Sequence, residues 1–444
     1  VTRYHAAWVL PVVSEPLRNA TVVEEGGRIV YVGPRGSAPD GGEDVELGEV
    51  MLLPGLVNAH CHLELTAMRG FLDGLAFRDW IVRLTAARRA ILTPGMLLDA
   101  ARLGIDEGLR HGVTTFADTG DTGAGFDAML ERGVRGVCYR EVFGPDPAQC
   151  DEAIAALATK VAEMRQRVTP LVAVGVSPHA PYTVSDALFR ATALFAQQLG
   201  LPLAVHIAES TMERDLVVQG AGVFAEGLRA RGIHVAPRAR TPIALLDSLG
   251  VLQARALLIH CVHVDADDIG AIARHGCAVA HCPASNAKLG HGIAPLAALL
   301  AAGITVGIGT DSVASNDRMD LLEEARLATL MASAREARHD AVGAVRALEL
   351  ATLGGARALG LANEIGSLGV GKAADLAAFA IPPHRLPVHE PVPALVYSLS
   401  GLPATFVAVA GRVRVRDGRL VDADDALAGR VQITADLLQQ WLAG

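Results

Sequence analysis

A chain of 444 residues, 51% hydrophobic and 20% charged, can bury a large core, which excludes disorder and exceeds one small domain. Its formal net charge of -9, with no run of like charges, argues against nucleic-acid or anionic-membrane partners, which call for a basic face. No stretch reaches the ~20 uninterrupted apolar residues of a membrane span, VTRYHAAWVLPVV lacks a signal-peptide core, and the 6 cysteines form no C-x-x-C pair, so a cytoplasmic protein with free thiols is expected.

Residues 1–52 read as short strands and turns, with TVVEEGGRIVYVG a hairpin closed by Gly26-Gly27. The texture then changes to buried apolar runs alternating with helical segments. The runs are MLLPGLVNAHCH, GVTTFADTG, VRGVCYREVFG, LVAVGVSPHAP, PLAVHIAES, ALLIHCVHVD, CAVAHCPASN and ITVGIGTDSVASN. Between them, stretches such as PGMLLDAARLGIDEGLRHG, DPAQCDEAIAALATKVAEMRQRV and SDALFRATALFAQQLG carry apolar residues at helical spacing, often closed by Gly. Eight strand-helix units over 53–361 predict an α/β fold of the (β/α)8 TIM-barrel type. A doubly wound open sheet is the alternative, but no Gly-rich loop follows the first strand. Beyond residue 361, GSLGVGKAADLAAFA and ATFVAVAGRVRVRDGRLVD return to strands. Residues 1–52 and 362–444 are therefore expected to form a composite β-sandwich beside the barrel, with ADLLQQWLAG closing its surface.

In such a barrel, chemistry is built at the C-terminal ends of the strands. The first run ends in His60 and His62, which share one strand face. Alone, a His-x-His pair is as well explained by a surface turn. His206 ends the fifth run with Glu209 three residues on, His260 and His263 end the sixth, and Asp311 ends the eighth. Buried imidazoles and a buried carboxylate at so many strand ends are costly unless paired or metal-bound. His60, His62, His206 and Asp311 suit one Zn²⁺ with a position left for water, and Fe²⁺ or Mn²⁺ would accept the same donors. A metal so held brings the pKa of its water towards ~7. Glu209 is the candidate general acid/base, His260 would orient the attacking water and stabilise developing charge, and Asp311 could also take a proton. The competing assignment for Glu209 is a first-turn carboxylate on the helix beginning at ESTMERD.

PGLVNAHCH, the HIAE of 206–209, HCVHVD, AHCPASNAKLGHGIAP and GIGTDSVASN together resemble the amidohydrolase superfamily over nearly the whole chain. They are similar to its mononuclear-zinc branch of nucleoside and nucleobase deaminases and triazine hydrolases, and GSLGVGKAADLAAF matches the family's closing segment. The resemblance implies the barrel, the flanking sandwich, a small-molecule substrate and a homo-oligomer. It also implies roles for His60, His62, His206, Glu209, His260 and Asp311 that agree with those above. Binuclear relatives carry a carboxylated Lys or a Glu at the end of strand 4, where this chain has His179 in SPHAP.

Where the branch usually has H-x-H-x-x-M-T-x-x-R-G, this chain reads HCHLELTAMRG, followed by FRDWIVRLTAARR. That opening looks like deaminases of aminodeoxyfutalosine, while AHCPASNAKLGHGIAP resembles S-adenosylhomocysteine and methylthioadenosine deaminases equally well. The resemblance implies deamination of a 6-aminopurine nucleoside, aminodeoxyfutalosine first, then S-adenosylhomocysteine, methylthioadenosine or adenosine. Triazine or cyclic-amide hydrolysis is the alternative; a non-enzymatic scaffold would have lost the ligands kept here. Expected substrate contacts are Glu64, Trp80, Arg83, Arg140, His179 and Ser285. Arg140 would bind a substrate carboxylate, unless it pairs with Glu141. A tryptophan such as Trp80 is more often a core residue than a stacking platform.

Overall fold

Strands from both chain ends make one sheet. In the computed structural model, which describes residues 1–444, these are β1 (Thr2–Val9), β2 (Leu17–Glu25), β3 (Arg28–Pro34) and β4 (Glu43–Pro54) from the first end. They join β13 (Leu376–Ala380), β14 (Phe406–Val409), β15 (Arg412–Arg416) and β16 (Arg419–Leu420) in the order β16-β15-β14-β13-β4-β1-β2-β3. The β2–β3 hairpin turns at Gly26 and Gly27, with φ of 60° and 81°, the left-handed pair that a tight two-residue turn demands.

This sheet is curled. The rings of Tyr4 on β1 and Phe406 on β14 lie 5.0 Å apart although β4 and β13 run between them. In a flat sheet three strand spacings would separate them by about 14 Å. The inner face packs Val22, Ile29, Leu52 and Leu376 around them. The outer edge closes as well: Ile29 N–H donates to the Lys372 carbonyl at 2.8 Å, and Ala374 N–H donates to that of Gly27 at 2.9 Å. The expected composite sandwich is thus a single hydrogen-bonded sheet folded on itself.

All eight apolar runs become barrel strands: β5 (Leu56–Cys61), β6 (Val113–Gly120), β7 (Arg135–Val142), β8 (Val172–Pro178), β9 (Ala204–Ile207), β10 (Leu257–His260), β11 (Ala278–His281) and β12 (Thr305–Ile308). These strands are mostly apolar or β-branched and are buried at every position in β5, β6, β9 and β10, because parallel strands under helices have both faces covered. Strands β5–β8 and β9–β12 form two parallel sets. Bridges Cys61 to Asp311 and Val176 to Leu203 close them into a ring. The first run is split at its Pro-Gly. Leu53 and Pro54 still pair with Ala377 and Leu376, so the barrel begins at Gly55, slightly beyond the expected break.

Local sequence sets the helix ends. Thr93 caps the helix Pro94–Arg110 ahead of a proline in its first turn, and Ser185 caps Asp186–Leu199, which Gly200 stops in a left-handed conformation. The helix α1 (Phe77–Ile91) is an addition between β5 and β6 that buries Phe77, Trp80, Leu84 and Ala87. The final helix Leu427–Ala443 reaches the same cluster through Leu438. No helix is long and apolar enough to cross a membrane. All 6 cysteines are free thiols.

Candidate metal centre and its surroundings

Strand ends bring the expected ligands to one point. His60 Nε2 lies 3.2 Å from Asp311 Oδ1, and His62 Nε2 lies 3.5 Å from the same oxygen. His62 Nε2 and His206 Nε2 are 3.2 Å apart. Donors about 2.05 Å from a tetrahedral Zn²⁺ stand about 3.3 Å from one another, so these spacings are those of a ligand shell.

The tautomers strengthen the fit. His62 Nδ1 faces the Thr119 carbonyl at 2.9 Å and His206 Nδ1 faces that of His179 at 3.2 Å. A carbonyl only accepts, so both Nδ1 atoms carry protons and both Nε2 lone pairs point inward. Two lone pairs at 3.2 Å repel unless a cation sits between them. Burial holds all three imidazoles neutral, lowering His60, pulling His62 down to about 3 and lowering His206 well below the usual range. Burial alone would raise Asp311, but the His60 hydrogen bond and the surrounding imidazoles keep it ionised.

Asp311 reaches this point through strained backbone. Its φ is 59°, and its N–H donates to the His60 carbonyl at 3.0 Å. His260 has φ 75° and Ala208, just before Glu209, has φ 52°. Left-handed non-glycine residues cost roughly 1–3 kcal/mol each and gather at functional sites. Gly309, between β12 and Asp311, has no room for a side chain: a Cβ there would sit 2.8 Å from both the N and the O of His60. Gly309→Ala must push β5 and β12 apart. It is expected to cost about 1–3 kcal/mol and to weaken metal retention, read by thermal melting and metal analysis. An unchanged melt would show that β5 yields without cost.

Glu209 stands beside the four donors. Its Oε1 is 3.5 Å from His260 Nε2 and 3.3 Å from His291 Nε2. Burial pushes its carboxyl up, but the two imidazoles outweigh it and leave Glu209 below the ordinary range. The capping role that competed for Glu209 falls to Glu213. That carboxylate, fully buried, accepts from the N–H of Ala208 at 2.8 Å and of Glu209 at 2.9 Å. Ser210 completes the cap by accepting from Glu213 N–H at 3.2 Å. Glu213 therefore fixes the strained turn, and burial pushes it up to about 8 despite the two backbone donors.

His260 is oriented by Asn286, whose Oδ1 lies 2.9 Å from Nδ1, so Nε2 faces the site. Ser285, expected to touch substrate, donates to Asp311 Oδ2, as does Ser315 at 3.2 Å. A buried carboxylate beside a metal position needs its second oxygen satisfied, and Ser285 does that. Asp118, fully enclosed and pushed up to about 7 by burial, accepts from Leu63 N–H at 2.7 Å and so steadies the chain just after His62.

The expected substrate contacts are only partly assembled. Trp80 is core, packed with Phe71, Phe77 and Leu84. Arg83 is exposed on the outer face of α1 and makes no ion pair. Arg88 on the same helix turns its guanidinium inward instead and binds Glu64 at 2.5 Å as well as Asp121. Glu64 also accepts from Thr122, so its carboxylate is tied into the wall. The buried positions Phe77, Trp80, Leu84 and Ala87 mark the inner face of α1. Continuing their period points to Arg88 rather than Arg83.

Arg140 is half-buried near Asp121 and makes no pair with Glu141, because adjacent strand residues point to opposite faces. Glu141 instead turns in, 3.9 Å from His206 Nδ1, with Oε1 unpartnered and burial raising it well above the usual range. His179 packs its ring 4.8 Å from that of His206 and bonds Thr183 Oγ1 through Nδ1 at 2.8 Å, leaving Nε2 free.

The chain is similar to known proteins in sequence and in fold. The amidohydrolase family profile matches residues 51–414. The chain is 34% identical over 424 residues to a 5-methylthioadenosine/S-adenosylhomocysteine deaminase of Desulforudis audaxviator, covering 94% of both chains. It superposes on an adenosine deaminase from Xanthomonas campestris with bound zinc at a TM-score of 0.89 and 31% identity, covering 99% of this chain and 98% of that one. An atrazine chlorohydrolase from Arthrobacter aurescens complexed with zinc gives 0.85 at 27% identity, covering 99% and 100%.

Proposed function

Since the chain belongs to the amidohydrolase family, we propose that it is a zinc-dependent hydrolytic deaminase of a 6-aminopurine nucleoside. The observation that carries this reading is a carboxylate, Glu209, set beside a four-donor shell without being part of it. Among substrates, 5′-methylthioadenosine and S-adenosylhomocysteine come first, because the relative that is 34% identical over 94% of the chain is named for them. Aminodeoxyfutalosine and adenosine follow.

His60, His62, His206 and Asp311 would hold one zinc ion per subunit, which when bound supplies Lewis-acid activation of water near neutral pH. Glu209 takes the proton from the attacking water and delivers it to N1 of the purine. The water oxygen bonds to C6, giving a tetrahedral carbon with hydroxyl and amino groups. His260, aimed by Asn286, orients the incoming oxygen and offsets its charge. Asp311, held by Ser285, accepts the remaining proton for transfer to the departing amine. The C6–N bond breaks and ammonia leaves. Arg140, free of any partner at the barrel mouth, suits the carboxylate of a homocysteine tail. His179 Nε2 is free to bond the ribose or the ring.

The test follows ammonia and chloride release by the zinc-loaded protein from methylthioadenosine, S-adenosylhomocysteine, aminodeoxyfutalosine, adenosine and a chlorinated aminotriazine. Turnover of a thioether nucleoside with kcat/KM well above that of adenosine is the expected result. Silence on every nucleoside, with chloride or ammonia released from a triazine, would move the assignment to triazine hydrolysis, the activity of the chlorohydrolase that shares the fold at 27% identity.

A further inference from the structure

One segment supports every reacting group. After β11 the chain runs through the short helix Pro283–Lys288 into a loop at Gly290-His291-Gly292, whose glycines have φ of 74° and 106°. Ser285 on that helix donates to Asp311, and Asn286 orients His260. Five residues on, His291 reaches Glu209. Its own backbone is fixed by a 2.8 Å bond from its N–H to the Asn286 carbonyl. Its side chain is 3% exposed and the ring stands edge-on to Phe77 with centroids 4.5 Å apart. Nε2 is buried, lies 3.3 Å from Glu209 Oε1 and finds no other polar partner.

A buried imidazole nitrogen without a partner is costly, so its place is set by the one group it faces. Glu213 already fixes Glu209 through the backbone. The side-chain torsions of Glu209 are then set by two imidazoles, His260 at 3.5 Å and the nearer His291 at 3.3 Å. We propose that His291 is a positioning residue that holds the Glu209 carboxylate in its proton-transfer orientation, so that the 283–291 segment aligns Asp311, His260 and Glu209 together. His291 touches neither the metal position nor the reacting atoms. The inference rests on Glu209 being the general acid/base.

The experiment measures steady-state deamination, zinc content and melting for the full chain, His291→Phe, His291→Gln and Glu209→Gln. Phe keeps the ring against Phe77 and removes the donor, whereas Gln places an amide N–H close to where Nε2 stood. His291→Phe is expected to lower kcat roughly 100-fold, the scale of a misplaced catalytic group, with KM and zinc content near wild type. His291→Gln is expected to recover most of that loss. Wild-type kcat in His291→Phe overturns the inference, as does equal loss in both variants or loss of zinc along with kcat. Glu209→Gln separates the two levels. If it stays active, or if the wild-type chain deaminates no nucleoside, the reading of Glu209 fails and this inference with it. If it is inactive while His291→Phe is not, only the inference fails.

Discussion

Glu209→Gln is expected to lower turnover by about 10²–10⁴, the range for removing a general acid/base, while zinc content and melting stay near wild type. The amide has the shape of the carboxylate and keeps its contacts with His260 and His291. It cannot accept the proton of the attacking water or hand one to N1. The turn that carries it does not depend on this side chain, because Glu213 bonds the backbone of Ala208 and Glu209. Ammonia release beside metal analysis on the same preparation makes the check. Near-wild-type turnover would remove Glu209 from the mechanism, and loss of zinc would recast it as a ligand.

The same contrast explains what the sequence made legible. Barrel strands were readable because parallel strands buried on both faces are rich in apolar and β-branched residues, and Val113–Gly120 and Ala204–Ile207 are buried at every position. Histidines and carboxylates at the ends of such runs were then conspicuous, and the fold gathers His60, His62, His206, Glu209, His260 and Asp311 around one point. Groups that act at one remove carry no such mark. Ser285 and Asn286 were visible at a strand end, but only the fold tells that one holds Asp311 and the other His260. Arg88 was hidden among four arginines of α1, and only the buried face of that helix separates it from Arg83. His291 lies in a loop between two glycines, with no periodicity to aim it. Contacts made across a tertiary fold, between residues far apart in sequence, leave little trace in local pattern.

Removing one ligand should have a different outcome from removing the acid/base. His206→Ala takes away a donor whose Nε2 lies 3.2 Å from that of His62, and leaves three of the four. Loss of a group that only supports a ligand typically costs 10–100-fold in metal affinity. Loss of the ligand itself is expected to cost at least about 100-fold and to abolish turnover at ordinary zinc concentrations. Stability supplies a second readout. Zinc that binds only the folded chain adds RT ln(1 + [L]/Kd), about 2.7 kcal/mol at a hundredfold excess over Kd. The wild-type melt should therefore fall on chelation and recover with zinc, whereas the melt of His206→Ala should respond to neither. The metal-free comparison is informative too. Without a cation, the inward lone pairs of His62 and His206 repel, so deleting one relieves that repulsion and offsets part of the cavity it leaves. Metal-free His206→Ala should then melt closer to the metal-free wild type than a buried truncation elsewhere in the barrel would. A variant that kept wild-type zinc content and zinc-dependent melting would show that His206 is not a ligand, and that His60, His62 and Asp311 suffice. Turnover lost without zinc lost, the pattern expected of Glu209→Gln, would instead make His206 part of the proton-transfer machinery.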